Sequence, residues 1–450
     1  MSTSAAEPRT EPRSDGRTDP RTDPRTDCRT DSRTGPRTDS HHRHWLRAGW
    51  MMTASGWSAN QFSALLGAYR DDLGLTTATT TALFAVYVLG LIPGLLLGGP
   101  LADRRGRRPV VFTALATAAV ATCLLMAGPA AAWLLWPGRF LTGLGAGALL
   151  TAGSVWIKEL SSAPYDPATA PGTAARRSGL FLSAGFASGG LAAALIAQWA
   201  PHPMITAYVP HLVLSAVAAV AAARAPETGR AAEAAHRPAA EETQSAAGEA
   251  RPAAHGTSEA HGTSAAPFRR LVAPVAPWVF AAPTIAFVTL PGLVGARLDG
   301  WQTVYAGVAT AVTPGAGLLV APLARRLAAR HRLATAAAGL VAVALGLLVA
   351  AGAVAAGQPA VALIAAVVLG GGYGLCVAYG LTEVAALAPP HRLARLTARF
   401  WTLAYLGFFA PYVITLVGAA VSPPVILTVA AALALLTLGG VGRAARRDGV

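Results

Sequence analysis

The chain has 450 residues, of which 53% are hydrophobic and only 13% are charged, with a formal net charge of +14. Because an average soluble protein carries about 25% charged residues, this composition excludes a soluble enzyme, a disordered chain and a nucleic-acid-binding protein as first interpretations. What remains is a protein that crosses a membrane many times, with short arginine clusters between long apolar runs. The three cysteines have no metal-binding spacing, so we predict no metal site and no cofactor.

Residues 1–44 consist largely of a four-residue repeat, mostly Arg-Thr-Asp-Pro. This segment has no apolar region of the kind a signal peptide needs, and its alternating charges cannot bury a core. We therefore predict a disordered cytoplasmic tail. A lipid-binding arm is the alternative, since the histidine-rich residues 41–44 could touch anionic headgroups; a metal site there is a weaker alternative.

Twelve apolar runs follow, each close to the roughly 20 residues that a helix needs to cross a bilayer. The first six lie near 45–68, 79–101, 110–130, 132–157, 178–200 and 204–224. The second six lie near 272–296, 302–324, 333–356, 359–386, 397–419 and 423–442. Between them, a stretch rich in Ala, Glu, Pro, Gly and Ser predicts a flexible linker. The predicted divisions are a tail at 1–44, a six-helix bundle at 45–224, a disordered linker at 225–268, a second bundle at 269–443 and a tail at 444–450.

Arginine clusters follow every even-numbered span and precede the seventh, while the other connections hold little more than Arg70 and Arg297. By the positive-inside rule, both termini and the linker are cytoplasmic. Lys158 is the one lysine among 36 basic residues, and Ala and Gly are abundant. This bias indicates a GC-rich bacterial gene, so we expect a multi-pass protein of the plasma (inner) membrane.

The two halves resemble each other at an offset of 222 residues. Residues 99–105 match residues 321–327, and Gly185-Phe186 matches Gly407-Phe408. Two parallel six-helix repeats are a transporter architecture, in which the binding site lies between the halves near the middle of the membrane. The second copy carries Arg325 where the first carries Asp103.

The sharpest motif is Gly-Pro-Leu-Ala-Asp-Arg-Arg-Gly-Arg-Arg at residues 99–108, between the second and third spans. A basic inside loop would account for its arginines, but not for a carboxylate at the membrane edge or two glycines. By charge alone, Asp103 can bond the N-terminus of a neighbouring helix, and Arg107 and Arg108 can pair with Glu159 at the end of span four.

This loop closely resembles the signature loop of the major facilitator superfamily. The resemblance implies a twelve-helix transporter in which the loop latches the two halves together in the outward-facing state. The latch residues so implied are Gly99, Asp103, Arg104, Gly106, Arg107, Arg108 and Glu159.

Span four begins with a run at residues 138–147 that resembles the family's second motif, arginine followed by spaced glycines. The resemblance implies that Arg139 faces the cavity and affects coupling; an arginine snorkelling to the outer interface is the alternative. Glycines at small-xxx-small spacing predict close helix packing, with sliding contacts in the transport cycle as the alternative. These glycines are Gly90, Gly94, Gly98, Gly143, Gly147, Gly185 and Gly189.

Residues 185–190 resemble the span-five motif of the family's antiporters but lack its proline, which suggests drug:proton antiport. Candidate coupling or cavity residues inside the spans are Asn60, Gln61, Tyr405 and Glu383, with interhelical hydrogen bonding as the alternative role. Asn60 and Gln61 point to different helix faces, so at most one is central. Glu383 lies toward the inner end of span ten, where it could pair with Arg392 or Arg395 or carry a coupled proton.

We therefore expect an all-α polytopic membrane protein with twelve transmembrane helices in two six-helix repeats. Its expected activity is secondary transport of a small amphipathic organic solute, in the export direction, and it is not an enzyme. A phosphate-binding loop sequence for ATP is absent. The expected partners are the lipid bilayer and a small-molecule substrate, with protons as the candidate coupling ion and no nucleic acid, and we expect a monomer. A facilitative or uptake transporter of the same fold and a non-transporting membrane sensor are the alternatives.

Overall fold

The structure, a computed structural model, describes residues 44–167, 169–170, 172–229, 265–388 and 393–447. The predicted tail up to residue 43, linker residues 230–264, Arg392 and residues 448–450 lie outside the described residues. Every regular element within the described ranges is helical, so the predicted all-α architecture is confirmed.

Twelve long helices cross between two ends of the molecule. Eleven of them, among the described residues, are long and apolar enough to span a membrane; α1, His44–Ala64, is the twelfth and contains more polar residues. The others are α2 (Thr77–Arg105), α3 (Arg107–Met126), α4 (Ala132–Leu160), α5 (Thr173–Trp199), α6 (Pro203–Ala223), α7 (Trp278–Arg297), α8 (Gln302–Arg330), α9 (Ala334–Ala356), α10 (Pro359–Leu387), α11 (Arg395–Val417) and α12 (Pro423–Arg447).

The helix boundaries differ from the predicted spans by a few residues. α1 is followed by a short separate helix, Leu66–Leu73, and α12 continues to Arg447, beyond the predicted bundle boundary at 443. Even-numbered helices end where the arginine clusters lie. We call this the Arg-rich end of the molecule and the opposite side the Arg-poor end.

Glycines bring α1 against α5 and, in the second half, α7 against α11. A Cβ atom on Gly185 of α5 would lie 2.2 Å from the Thr53 carbonyl oxygen of α1, and one on Gly407 of α11 would lie 2.3 Å from the Pro277 carbonyl oxygen beside α7. The two glycines are the pair related by the 222-residue offset. The sequence repeat therefore corresponds to a repeated helix contact.

The pair α2 and α4 approaches just as closely. A Cβ on Gly143 would lie 1.9 Å from the Tyr87 carbonyl oxygen, and one on Gly90 would lie 1.9 Å from the Phe140 carbonyl oxygen. The remaining predicted packing glycines also have backbone atoms within 3 Å of their Cβ positions; they are Gly94, Gly98, Gly147 and Gly189. Only glycine permits backbones to approach this closely.

The two halves are packed together toward the Arg-poor end. Three of the contacts there join α2 to α11 and the end of α5 to the turn before α8. They are Thr81 with Thr415 (Oγ1 atoms 3.5 Å apart), Gln198 Nε2 with the Gly300 carbonyl oxygen (2.9 Å) and Trp199 with Trp301 (ring centroids 6.1 Å apart). None of these three contacts is an ion pair, and α5 also packs closely against α8, where a Cβ on Gly190 would lie 2.3 Å from Thr310 Cγ2.

The glycine contacts predict that an added methyl group destabilises the protein where a glycine touches a neighbouring helix and has little effect where it does not. We expect Gly143→Ala to lower the free energy of unfolding by about 1–3 kcal/mol, because the methyl group must force α4 away from α2. Gly352→Ala in α9 is the matched control, since no atom lies within 4 Å of its Cβ position. Thermal unfolding of the purified variants in detergent measures both. Equal unfolding midpoints for the two variants would contradict the proposed packing role.

Candidate functional site: the cavity between the halves and the 99–108 loop

A cavity of about 800 Å³ lies between α5 of the first half and α8, α10 and α11 of the second. Its wall is mostly apolar and aromatic, with a few hydroxyl groups. Residues in this wall include Ser183, Phe186, Tyr373, Thr382 and Trp401. The cavity extends to the Arg-rich end, where residues following α8 and near the end of α10 form its mouth. Its size suits a small organic molecule.

Three charged residues line the cavity: Arg325, Arg332 and Glu383. The Glu383 side chain is only 3% exposed, and both of its oxygens lie 3.0 Å from Arg332 Nε. The predicted partners were Arg392, which lies outside the described residues, and Arg395. Among the described residues the partner is Arg332 instead, because the turn between α8 and α9 places its guanidinium beside α10.

Stacked aromatic rings lie beside this cavity and join the halves. Tyr405 stacks on Phe280 with centroids 4.7 Å apart, and Phe408 of the second half stacks on Phe84 of the first at 5.5 Å. Trp401, which lines the cavity, lies 6.1 Å from Tyr405. Tyr405 is itself buried behind Trp401 and is absent from the cavity wall. Its position therefore supports the wall of the cavity.

Asn60 and Gln61 of α1 are both buried, and neither lines the cavity. Asn60 Nδ2 donates to the Phe186 carbonyl oxygen at 3.1 Å, which is an interhelical hydrogen bond between α1 and α5. The amide of Gln61 has no hydrogen-bond partner among the described residues. The geometry thus favours a structural role for Asn60.

Arg139 is fully buried, with 0% exposure. Its Nε donates to the Leu83 carbonyl oxygen at 3.3 Å, and its guanidinium lies 4.4 Å from the Phe62 ring centroid and 5.0 Å from that of Tyr87. The side chain does not reach an interface, so the snorkelling alternative is wrong, and it is absent from the cavity wall in this conformation; an effect of Arg139 on coupling stays a prediction. Carbonyl oxygens and aromatic faces surround the charge where it lies, whereas the buried Nη1 has no hydrogen-bond partner among the described residues.

The 99–108 loop forms a charged network within the first half. Arg107 Nη2 lies 3.0 Å from Glu159 Oε1, and Arg107 Nη1 lies 2.5 Å from Asp103 Oδ1. Asp103 is 66% exposed, so one face of this carboxylate is open to solvent. Gly106 separates α2 from α3 with φ +96°, a backbone conformation that favours glycine.

Other members of the loop differ from expectation. The Arg108 side chain lies over the Phe112 ring (5.9 Å to the centroid) and does not reach Glu159, so that predicted pair is wrong. Arg104 is exposed at the end of α2. A Cβ on Gly99 would have no neighbour within 4 Å, so packing in this structure does not explain the first glycine of the motif.

The carboxylate that binds a helix N-terminus here is Glu227, which sequence reasoning missed. Its two oxygens accept hydrogen bonds from the backbone N–H groups of Arg107 and Arg108, each at 2.8 Å, at the start of α3. This position suits an anion, because the helix dipole and unpaired N–H groups favour negative charge. The expectation that Asp103 performs this bonding is therefore wrong for this conformation.

Residues 225–229, predicted as the start of the linker, are packed against the loop. The Pro226 carbonyl oxygen accepts a hydrogen bond from Trp156 Nε1 at 3.0 Å, and the Thr228 hydroxyl donates to Glu159. The segment therefore connects the end of α6 to both α4 and the 99–108 loop. The Pro-Glu-Thr-Gly sequence itself reads as a polar turn, and no periodicity marks it.

These observations can be compared with known proteins. The family model of the Major Facilitator Superfamily matches residues 48–412. The chain belongs to the Major Facilitator Superfamily. Its members and structural neighbours are transporters, which agrees with two six-helix halves around a central cavity.

Curated relatives share a shorter stretch. The multidrug resistance protein MdtL of Klebsiella pneumoniae is 38% identical over 77 residues, which is 17% of this chain and 19% of the relative. MdtL of Escherichia coli is also 38% identical over 76 residues, again 19% of its length. The match thus spans about a fifth of these superfamily proteins.

Solved structures share the fold across most of the chain. A POT family transporter in complex with 5-aminolevulinic acid has a TM-score of 0.69 and 11% identity, covering 89% of this chain and 96% of that one. A D-xylose-proton symporter has a TM-score of 0.64 and 16% identity, covering 89% and 95%. At these identities the likeness shows the superfamily fold alone.

The Glu227 cap yields a stability prediction. We expect Glu227→Ala to lower the free energy of unfolding by about 1–2 kcal/mol, because two N–H groups of α3 lose a charged acceptor. Glu227→Gln keeps one acceptor oxygen and should lose less. Thermal unfolding in detergent is the measurement, with Asp72→Ala at the exposed Arg-poor end as control. An unfolding midpoint for Glu227→Ala equal to that of the control would argue against the cap.

Proposed function

We propose that this superfamily member exports a small amphipathic organic compound by alternating access. The observation that carries the proposal is a cavity between the halves at one end of a molecule whose halves are packed together toward the other end. The stretch shared with MdtL, a multidrug resistance protein, supports export over uptake.

We further propose that the Arg-rich end faces the cytoplasm of a bacterial plasma membrane. Arginine clusters at that end follow the positive-inside pattern. In this orientation both termini and the 225–268 segment are cytoplasmic, and the cavity faces inward. Export then requires the halves to rock so that the Arg-poor contacts separate and the cavity mouth closes.

In this proposal Asp103 latches the outward-facing state. Its carboxylate is largely exposed in the inward-facing conformation and bonds Arg107. α2 and α11 are neighbours at the Arg-poor end, where Thr81 meets Thr415. Closing the opposite end would bring Asp103 toward the beginning of α11, a helix N-terminus that suits an anion. Arg107 and Glu159 would hold the loop in position for that contact.

We expect Asp103→Asn to keep the protein folded and inserted but to reduce transport strongly. One charge-assisted hydrogen bond at a helix end contributes about 1.5–3 kcal/mol. Removing it from one of two nearly balanced states shifts their ratio by roughly 10–150-fold toward inward-facing. Labelling of single cysteines placed in the cavity wall, from each side of the membrane, measures the shift.

Asp72→Asn, an exposed change at the Arg-poor end, is the control for charge loss. Unchanged labelling of Asp103→Asn together with full transport would refute the latch.

Proton coupling is a separate proposal, and Glu383 is its first candidate. Glu383 is the buried carboxylate that lines the cavity within the described residues. Its contact with Arg332 supports a structural role as well, because an unpaired buried charge is costly. Buried Arg139 stays protonated in either case and could act on coupling only through its field.

If protons drive export, Glu383→Gln should abolish uphill transport while sparing exchange of substrate down its own gradient. Exchange in the variant serves as the control for folding. Uphill transport that persists in Glu383→Gln but collapses with a protonophore would show that protons are coupled through a group other than Glu383. Uphill transport by the unmodified protein that ignores the protonophore excludes proton antiport.

Two other functions remain to be tested against export. A facilitative or uptake transporter would move substrate inward or only down its gradient, and a non-transporting sensor would bind without flux. Expression in a drug-sensitive host, followed by flux measurements in proteoliposomes of known orientation, separates the three. Resistance with outward flux supports export, whereas binding without any flux identifies the sensor.

A further inference from the structure

Position 325 is where the internal repeat changes the sign of a charge. Asp103 in the first half corresponds to Arg325 in the second, at the 222-residue offset. The two side chains also have different surroundings. Asp103 is paired with Arg107 outside the cavity, whereas Arg325 is part of the cavity wall.

The charges of the cavity wall do not cancel. Arg332 and Glu383 form one ion pair, with the carboxylate accepting from the guanidinium through both oxygens. No carboxylate among the described residues pairs with Arg325, which is exposed at the mouth. One uncompensated positive charge therefore remains in a wall that contains no free carboxylate within the described ranges.

From this wall we infer that the transported compound carries an acidic group on an aromatic or otherwise apolar body; the inference rests on the proposed transport function. The acidic group would lie near Arg325, whose planar guanidinium suits a carboxylate. The apolar body would lie against Phe186, Tyr373 and Trp401 deeper in the cavity. A cationic compound would meet the positive charge of Arg325, which pairs with no carboxylate among the described residues.

An anionic substrate agrees with export. A membrane potential that is negative inside drives a monovalent anion outward, by a concentration ratio of about 50-fold per 100 mV. Such export requires no titrating group in the cavity. A neutral substrate would gain nothing from the potential, and a cationic one would be held inside by it.

The test uses one aromatic scaffold with three charges: naphthylacetate, naphthylacetamide and naphthylethylamine. Binding to the purified full chain and flux in proteoliposomes are measured separately. We expect tighter binding and faster flux of the carboxylate than of the amide or amine. Arg325→Gln should reduce the preference for carboxylate over amide roughly 3–10-fold. Arg326→Gln is the matched control, because this neighbouring exposed arginine is outside the cavity wall and its loss should leave the preference unchanged.

The outcomes separate this inference from the proposed function. The anion preference is overturned if flux of the amine or amide equals or exceeds that of the carboxylate, or if the two arginine variants have equal effects. Either result leaves the proposed transport function unaffected. Binding that prefers the carboxylate and depends on Arg325, without flux of any compound, supports the site and removes the transport function. Absence of both binding and flux for all three compounds overturns both.

Discussion

Close backbone contact at glycine is the constraint on which the rest of this structure depends. Gly185 and Gly407 press α5 onto α1 and α11 onto α7 at equivalent places in the two halves. Because lipid is as apolar as the side chains it replaces, helices in a membrane gain little from the hydrophobic effect and associate through packing. Tight glycine contacts therefore hold these helix pairs together within each half. Between the halves, the contacts at the Arg-poor end include two polar contacts and a pair of rings, none of which is an ion pair.

Charge is handled differently in the two halves, although their helices correspond. In the first half Arg107 binds Asp103 and Glu159 while Glu227 caps α3, so the charges are satisfied within one network. In the second half Arg325 replaces the aspartate, and the charged residues Arg325, Arg332 and Glu383 belong to the cavity wall. The two halves thus share the glycine contacts and differ in the charge at the equivalent loop.

The sequence sufficed for features set by composition and local spacing. Apolar run length predicted the twelve helices, and the 222-residue offset predicted which glycines are equivalent, because both depend on residues close in sequence.

Contacts set by tertiary geometry were missed. Arg139 was recognised as unusual, but its carbonyl and aromatic surroundings come from α1 and α2. Glu383 was expected to bind Arg392 or Arg395, but the turn before α9 places Arg332 beside it. Glu227 sits in a polar turn that resembles the flexible sequence after it, so only the fold reveals its bond to α3.

The anion inference and the proton-antiport proposal constrain each other through linkage. Antiport requires that proton and substrate exclude one another from the same site. Protonation of Glu383 would remove its negative charge, which makes the cavity wall beside Arg325 more positive. An anion would then bind more tightly to the protonated protein, and by reciprocity the proton would bind more tightly in its presence. Such coupling moves proton and anion in the same direction. A proton gradient directed into the cell would therefore drive the anion inward, which is the opposite of export. If the substrate is an anion, the membrane potential can drive its export, at about 2.3 kcal/mol per charge for 100 mV, and the ion pair of Glu383 with Arg332 then has a structural role in the cavity wall.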